Sequence, residues 1–554
     1  MNEKQSHETH DPVHPKLFEP SSLVFNLVIG FLGAIIGMQL IVTLGVTPNT
    51  AIIGALIAML IARIPGAAFQ RFKSVHRQNL VQTTISGATF GAANALLLPI
   101  GIPFLLGQPN LVIPVLIGVA FALLIDATIL YKIFDTRIFP ASNAWPPGVA
   151  TGEAILAGDK GGRRGRLLLY GTGIGLIGSY FGISMSAFGV AFIGNIWALT
   201  MWGIGLLVKG YDKQLFGVSI DQYYIPHGIM IGAGLVALIQ VIWILLKKRK
   251  DNESSVEESV DTLETGTEMT PTGIRLSLTR SDRDISNTVL YGFIAYVACA
   301  LFLAVVTGLW AHMSVGAMIG WVIFAAFVAL AHELIVGLSA MHAGWFPAFA
   351  VALISLVVGM LFHFPAVPLA VLVAYSAATG PAFADMGYDF KAGWILRANY
   401  SRAYELEGRR QQYWASLLGF AAALVIVAIF HQNYFAHGLI PPVDKVYVAT
   451  IKAGLTDPHI AKNLLLWAIP GAIVQLIGGP SRQIGILFAT GLLISNPLAG
   501  WAVLAGIAIR LIVLKIYGKR AESTMSILAA GFIAGDALYG FFSSVYNFFG
   551  TAKK

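Results

Sequence analysis

Residues 111–132, which read LVIPVLIGVAFALLIDATILYK, decide the class of fold. A helix needs roughly 20 mostly apolar residues to cross about 30 Å of hydrocarbon, because each residue adds only about 1.5 Å of rise. The stretch is long enough, and its interior contains a single charged residue, Asp126. We therefore expect a membrane-spanning helix here, with a carboxyl group deep inside it.

Comparable apolar runs recur as far as residue 548 and give roughly fourteen to sixteen hydrophobic segments, some of them too short to span. The chain is 56% hydrophobic and 12% charged, whereas soluble domains usually carry about a quarter charged residues. These observations exclude a soluble fold. They predict an all-α polytopic membrane protein in the inner (plasma) membrane of the cell.

The composition also limits the chemistry. The only cysteine, Cys299, excludes an internal disulfide, a cysteine-rich zinc site and an iron–sulfur cluster held by cysteines alone. We expect no cofactor and no bound metal. The net charge of +8 includes basic residues in short loops, as at residues 71–77 and 247–250. That is the positive-inside pattern of a membrane protein and not a nucleic-acid surface.

Polar segments divide the chain. We predict a polar, cytoplasmic amino-terminal tail over residues 1–20, a first transmembrane half over 21–247 and a disordered charged linker over 248–285. A second transmembrane half follows over 286–549, and a short tail over 550–554 ends the chain.

The two halves share a pattern. Pro140 precedes a Gly-Arg-Arg turn at Gly162, and Pro381 precedes one at Gly408. Interrupted helices at matching positions of a duplicated chain indicate a secondary transporter whose site lies between the repeats. Chance similarity between Gly- and Pro-rich helices is the alternative. If the basic loops are all cytoplasmic, an odd number of spans lies between residues 166 and 247, so either a segment is broken or re-entrant or one basic loop is outside.

Residues 139–153 place prolines and glycines before a short apolar stretch. Pro147 suits the first turn of a half-helix, whose free N–H groups and partial positive charge would face the bundle and attract an anionic group. We assign Trp145, Gly148 and Glu153 to the substrate site, and Glu153 is also a candidate for proton exchange. An interfacial loop anchored by Trp145 is the alternative.

Residues 380–393 are the counterpart in the second half. Asp385 and Asp389 are four residues apart, so a helix puts both carboxylates on one face, where each raises the proton affinity of the other. We predict that they couple protons and that, with Tyr388 and Lys391, they bind substrate. A cytoplasmic helix end with solvated charges is the alternative, because Arg397 follows closely.

Other polar residues interrupt apolar runs. Asp126 and Asp536 are candidates for proton coupling, and each is equally well explained as a structural carboxylate. Asn79 and Gln82 lie three residues apart on one helix face, where their amides could bind a peptide backbone or join neighbouring helices.

Two enzymatic motifs are incomplete. His332-Glu333 lacks the second histidine of a zinc protease, because Val336 stands there, and residues 158–162 lack the spacing of a phosphate-binding loop. We therefore do not expect an enzyme, and transport would be driven by an ion gradient.

Three stretches together resemble the oligopeptide transporter superfamily, including its yellow-stripe-like branch. They are Arg77-Gln78-Asn79 with Val81-Gln82-Thr83, Asp385 with Asp389-Phe390-Lys391-Ala392-Gly393, and Ala530-Gly531-Phe532-Ile533-Ala534-Gly535-Asp536. A departure from the family pattern is Pro146-Pro147-Gly148-Val149-Ala150, where the family has Pro-Ser-Gly-Thr-Ala. The resemblance implies two similar halves around a central cavity and proton-driven import of short peptides or peptide-like compounds.

Alternatives remain for the function. The resemblance also admits uptake of metal chelates, and His312, His342 and His363 could support it, although they lie on separate segments. A passive channel or a membrane enzyme is the alternative from another class, but no nucleophile with its base is recognisable. The expected partners are a small peptide-like substrate, protons and the lipid bilayer, and a homodimer stays open.

Overall fold

The computed structural model describes residues 11–44, 55, 71–160, 162–237, 239–240, 267–269, 275–344, 346, 348–454 and 459–551. The apolar segment predicted at residues 50–64 lies outside the described residues except for Ala55, and so does most of the predicted linker.

The part before the linker is helical. Its helices are α1 (Pro20–Leu44), α2 (Val75–Phe90), α3 (Leu98–Leu105), α4 (Val112–Ile133), α5 (Pro146–Lys160), α6 (Gly162–Tyr180), α7 (Met185–Ala191), α8 (Ile196–Gly210), α9 (Asp212–Phe216) and α10 (Ile225–Ala237). Short 3₁₀ turns cover Arg71–Lys73, Pro109–Leu111 and Ile220–Tyr223.

In the linker range, β1 (Thr267–Met269) pairs antiparallel with β2 (Arg275–Ser277). The helices that follow are α11 (Asp282–Val306), α12 (Val315–Ala343), α13 (Ala348–Leu361), α14 (Ala366–Ala378), α15 (Pro381–Leu396), α16 (Arg402–Ala436), α17 (Pro442–Gly454), α18 (His459–Arg482), α19 (Ile484–Leu492), α20 (Pro497–Tyr517) and α21 (Glu522–Thr551). Further 3₁₀ turns cover Leu309–Ala311 and Gly518–Ala521.

Nine helices in the described part of the chain are long and apolar enough to cross a membrane, and shorter apolar helices accompany them. Their outer surfaces are apolar as well. On α4, for example, Ile113, Ile117 and Phe121 are exposed while Asp126 is fully buried. Apolar side chains outside and a carboxyl inside suit a protein that is surrounded by lipid. The prediction of an all-α polytopic membrane protein is confirmed.

Two of the long spans are interrupted. The span Ala366–Leu396 consists of α14 and α15, which are separated at Thr379 and Gly380, and Gly380 has a φ of 91°. The span Val75–Leu105 contains a π-helical segment, Gly91–Leu97, between α2 and α3. Interrupted helices are tolerated in a membrane where protein surrounds them. In the 18-residue apolar stretch that qualifies each span, 94% and 83% of the residues are buried, as that rule requires.

Glycines bring α6 and α21 into close contact. A Cβ on Gly531 would lie 2.6 Å from the Cα of Gly171, and a Cβ on Gly535 would lie 2.3 Å from the carbonyl oxygen of Thr172. Small residues spaced by four let membrane helices approach this closely. The Gly-rich stretch before Asp536 is therefore a helix-packing surface.

Helices α5 and α15 pack side by side and run in the same direction. Trp145 meets Gly387, Gly148 meets Tyr388 and Lys391, and Gly152 meets Ile395. A Cβ on Gly148 would lie 2.4 Å from the carbonyl oxygen of Tyr388, so only glycine permits this approach. The two stretches that the sequence pairs as counterparts are thus neighbours in the fold.

Some residues of the predicted tail and linker are ordered against the bundle. The backbone N–H of Leu17 donates to Gln411 Oε1 over 2.9 Å, and Thr279 donates to Asp135 Oδ2 through both its N–H and its hydroxyl, over 3.1 and 2.6 Å. Gln411 belongs to α16, and Asp135 follows α4. The predicted division of the chain into tail, halves and linker stays a prediction.

Candidate functional site

A cavity of about 680 Å³ is lined by residues from both before and after the predicted linker. The segments from α1 to α7 and those from α12 to α21 both contribute to its walls. Most of the lining is apolar. Polar lining residues include Asn94, Ser186, Tyr388, Ser495, Asn496 and Asp536.

Asp536 is the one charged residue among the described residues that line the cavity. The hydroxyl of Ser179 donates to its Oδ1, and the backbone N–H of Ser186 donates to its Oδ2 over 2.9 Å. These donors belong to α6 and α7, so the carboxylate joins both helices to α21 at the cavity wall. Both donors are neutral, and the negative charge of Asp536 is not balanced by either of them.

Asp385 and Asp389 lie on α15 behind the cavity wall, and both are fully buried. Ser86 Oγ donates to Asp385 Oδ1 over 2.7 Å, and the side-chain amide of Gln82 donates to Asp389 Oδ1. Both donors belong to α2, so the two carboxyl groups share one face of α15, as their spacing predicts. Neither carboxyl forms an ion pair with a lysine or arginine of the described residues.

One oxygen of each carboxyl has no hydrogen-bond donor. The oxygens are Asp385 Oδ2 and Asp389 Oδ2, and the hydroxyl of Tyr388 on the same helix also has no partner. Tyr388 lines the cavity, and so does Pro381 at the start of α15. The pair of carboxyl groups therefore lies on a helix that contributes to the cavity wall, although neither carboxyl lines the cavity itself.

Asn79 and Gln82 connect this pair to a polar network. Asn79 Nδ2 donates to Gln82 Oε1 over 3.0 Å, so these two amides share a helix face as predicted. Gln412 of α16 donates to the backbone oxygen of Asp389 over 2.6 Å and accepts from Arg397 over 2.8 Å. Both predicted amides are fully buried and do not line the cavity.

The charges of that network are paired. Arg397 Nε donates to Glu405 Oε2 over 2.7 Å, and Arg409 Nη2 donates to Glu405 Oε1 over 3.0 Å. Asp135 lies 3.7 Å from Arg409 Nη2. The two arginine side chains are fully buried, and each has a carboxylate within reach. In the sequence, Arg397 had indicated only a cytoplasmic helix end.

Lys391 and Trp145 support the packing of α5 against α15. Lys391 Nζ donates to the carbonyl oxygen of Ala141 over 2.7 Å and lies 4.5 Å from the ring centre of Trp394. The indole of Trp145 is fully buried, and its Nε1 donates to the carbonyl oxygen of Pro140 over 3.1 Å. Neither side chain lines the cavity, and neither does Gly148.

The amino terminus of α5 does not present the open N–H groups that the sequence suggested. Pro147 lines the cavity, but Pro146 and Pro147 have no N–H to offer. The next two N–H groups, of Gly148 and Val149, both donate to the carbonyl oxygen of Trp145. An anion would find no free backbone donor here.

Glu153 and Asp126 form contacts with other helices and do not line the cavity. Glu153 lies 3.1 Å from Arg164 in an ion pair and does not line the cavity. Asp126 is fully buried and accepts hydrogen bonds from the backbone N–H groups of Gly380, over 3.1 Å, and Phe383, over 2.9 Å. A carboxylate in this position caps the amino terminus of α15 and suits its partial positive charge.

Two buried carboxyl groups were not predicted from the sequence. Glu333 of α12 is fully buried, and the hydroxyl of Tyr296 donates to its Oε2 over 2.6 Å, while its Oε1 has no hydrogen-bond partner. Asp444 of α17 is fully buried, and neither of its oxygens has a partner. Glu333 interrupts an apolar run and had been examined only as part of a zinc motif, whereas Asp444 lies in a mixed segment that carries no such signal.

Within the described part of the chain, no three His, Cys, Asp or Glu side chains gather as metal ligands would. His312 and His363 lie at the ends of helical segments, and His342 is buried on α12. The three histidines do not form a common site.

Comparisons with known proteins assign the chain to a family. A family model described as "OPT oligopeptide transporter protein" matches residues 20–220 and 173–547. The comparison with curated proteins found no match. The matched ranges include α2, α15 and the stretch before Asp536, which carry the resemblance seen in the sequence. This chain, a multi-pass membrane protein, belongs to the OPT oligopeptide transporter family, whose members are transporters.

Proposed function

We propose that the protein is a proton-coupled importer of short peptides or peptide-like compounds in the plasma membrane, and that Asp385 and Asp389 form its proton-coupling site. The observation that carries the proposal is that these two fully buried carboxyl groups have only neutral hydrogen-bond donors. They lie on the helix that also supplies Tyr388 to the cavity wall.

The cost of burying charge supports this role. An ionised carboxylate away from water costs several kcal/mol unless a cation pairs with it. Two carboxylates on one helix face add their mutual repulsion, so the pair is best accommodated when it holds at least one proton. A site that must take up and release a proton as its surroundings change suits a carrier that alternates between two sides of a membrane.

The cavity supports a small amphipathic substrate. Its volume of about 680 Å³ lies within the range of roughly 300–1,000 Å³ that is usual for small-molecule sites. Apolar walls with a few polar groups suit a short peptide, whose backbone needs hydrogen bonds and whose side chains need apolar contacts.

The test of coupling uses purified protein in liposomes with an imposed inward proton gradient. The wild-type protein is expected to accumulate labelled tri-alanine above equilibrium. Asp389→Asn cannot exchange the proton, so it is expected to lose accumulation but still to exchange labelled for unlabelled peptide across the membrane. Glu407→Gln is the matched control, because Glu407 is a partly exposed carboxylate that pairs with the exposed Arg410 on α16. Accumulation by Asp389→Asn at the wild-type level would remove the pair from the mechanism.

The test of substrate class is a thermal-unfolding screen. Peptides of two to six residues, glutathione and a chelate with and without its metal are compared, since a ligand that binds the folded state raises the unfolding temperature. Peptides are expected to stabilise the protein. Stabilisation by the metal-loaded chelate alone would replace peptide import with chelate import.

A further inference from the structure

The cavity contains one fixed negative charge and no positive one among its described lining residues. Asp536 provides that charge from α21, which also supplies Tyr539, Gly540 and Ser543 to the wall. The side chain of Asp536 is partly exposed, in contrast to the fully buried Asp385 and Asp389. A ligand in the cavity can therefore contact Asp536 directly, whereas it cannot contact the other two.

The carboxylate is held in place by neutral groups. The hydroxyl of Ser179 and the backbone N–H of Ser186 donate to its two oxygens, one to each. Arg510 of α20 donates to the carbonyl oxygens of Ala191 and Gly194, over 3.2 and 2.6 Å, and forms no ion pair with Asp536. The charge of Asp536 is thus positioned but not paired, and each oxygen retains capacity to accept a further bond.

The surroundings of Asp536 define the ligand group that would bind there. Ile533 lies three residues before it and Tyr539 three residues after it on α21, while Val190 and Phe349 contribute apolar surface to the same cavity. A primary ammonium group offers three donors and a positive charge, and hydrogen bonds to a carboxylate in a partly dehydrated site are stronger than those between neutral groups. The apolar walls would cover the rest of the ligand.

We infer that Asp536 is a specificity residue that binds the free ammonium group of the substrate, so that the cavity selects small molecules with an unblocked amine and an apolar body. This inference rests on the proposed function and names the feature of the substrate that the cavity recognises. It also separates two roles: Asp536 binds the substrate's charge, while Asp385 and Asp389 carry protons. Molecules with a net negative charge, such as glutathione, bind less well than neutral peptides.

The experiment measures equilibrium binding to the purified protein at fixed pH, without a gradient. Tri-alanine is compared with N-acetyl-tri-alanine, and hexylammonium with hexanol. The wild-type protein is expected to bind each amine about tenfold or more tightly than its analogue without an ammonium group, since charge-assisted hydrogen bonds are lost in the analogue. Asp536→Asn should reduce both preferences to about threefold or less while leaving the affinity for hexanol, the uncharged analogue, unchanged.

The control variants separate charge from structure. Glu522→Gln removes a carboxylate from the exposed first turn of the same helix and should keep the preference for amines. Asp536→Glu keeps the charge and should keep the preference too. Asparagine retains an oxygen that can accept from Ser179 or Ser186, so Asp536→Asn should fold. If it does not fold, the comparison of hexylammonium with hexanol in the wild-type protein still tests whether the cavity prefers an ammonium group.

The outcomes distinguish this inference from the proposed function. Binding of hexylammonium over hexanol without binding of tri-alanine would reject peptide import and support the ammonium site. An equal affinity of the wild-type protein for amine and analogue, or an undiminished preference in Asp536→Asn, would overturn the assignment of Asp536.

Discussion

At the carboxyl end of α15, Arg397 meets Glu405, which also binds Arg409, so the buried charges are paired. In the middle of the same helix, Asp385 and Asp389 are equally buried and have only hydroxyl and amide donors. Both regions pack against α2 and α16, and Gln412 links them by bonding to Arg397 and to the backbone of Asp389. They differ in charge balance and not in burial.

The difference separates a structural use of buried charge from a functional one. In a paired network, Coulomb attraction and hydrogen bonds offset much of the free energy needed to remove the charged groups from water. The network also fixes how α15 and α16 pack against each other. Unpaired carboxyl groups gain little attraction to offset the free-energy cost of their burial, so their presence in the membrane indicates a role such as proton exchange. Removing a charge should therefore have opposite consequences in the two regions.

The largest expected effect is on the paired region. Glu405→Ala leaves two buried arginines without their shared carboxylate, and we expect it to lower the free energy of unfolding by about 3–5 kcal/mol. Glu407→Ala, two residues along the same helix, removes a more exposed carboxylate paired with an exposed arginine and should cost about 1 kcal/mol or less. Unfolding in detergent, followed by near-ultraviolet circular dichroism, measures both. Equal stability of the two variants would show that the network does not hold the helices together.

An intermediate effect is expected at Glu333, which is fully buried and accepts a hydrogen bond from the Tyr296 hydroxyl. Glu333→Ala leaves that buried hydroxyl without an acceptor, which should cost about 1–3 kcal/mol. Glu333→Gln can still accept from Tyr296, so its stability should stay within about 1 kcal/mol of the wild type. The same unfolding assay distinguishes them. If glutamine were as damaging as alanine, the contact would require the acid itself and not merely a hydrogen bond.

The smallest effect on stability is expected in the unpaired region. Asp385→Asn keeps an oxygen that can accept from Ser86 and removes the cost of a buried acid, so the free energy of unfolding should equal or exceed that of the wild type. The same variant should lose proton-driven accumulation in the liposome assay. A clear loss of stability in Asp385→Asn would place this carboxyl with the structural charges and end the contrast between the two regions.

Much of the candidate site follows from local sequence. The spacing of Asp385 and Asp389, and that of Asn79 and Gln82, predicts that each pair shares a helix face, and both pairs do. The matching interrupted segments pointed to two stretches that pack against each other as α5 and α15. These features depend on helix periodicity and on the backbone preferences of proline and glycine, which act over a few residues.

Contacts between distant segments could not be predicted in the same way. Glu153 looks like a site residue in the sequence, yet Arg164 pairs with it away from the cavity. Asp126 and Asp536 are similar in sequence, each a lone acid among apolar residues, but one caps α15 and the other lines the cavity. Asp444 gave no signal, because its burial depends on the contact between α17 and Gly101 of α3.

The sequence by itself determined that the chain is a helical membrane protein, that some of its helices are interrupted and that several carboxyl groups lie within apolar surroundings, because length, hydrophobicity and periodicity are local properties of the chain. Only the tertiary structure decided which of those carboxyl groups have a cation, a backbone amide, another carboxyl or a cavity beside them. The energy of a buried charge is set by its neighbours in space, and in this chain those neighbours come from other helices.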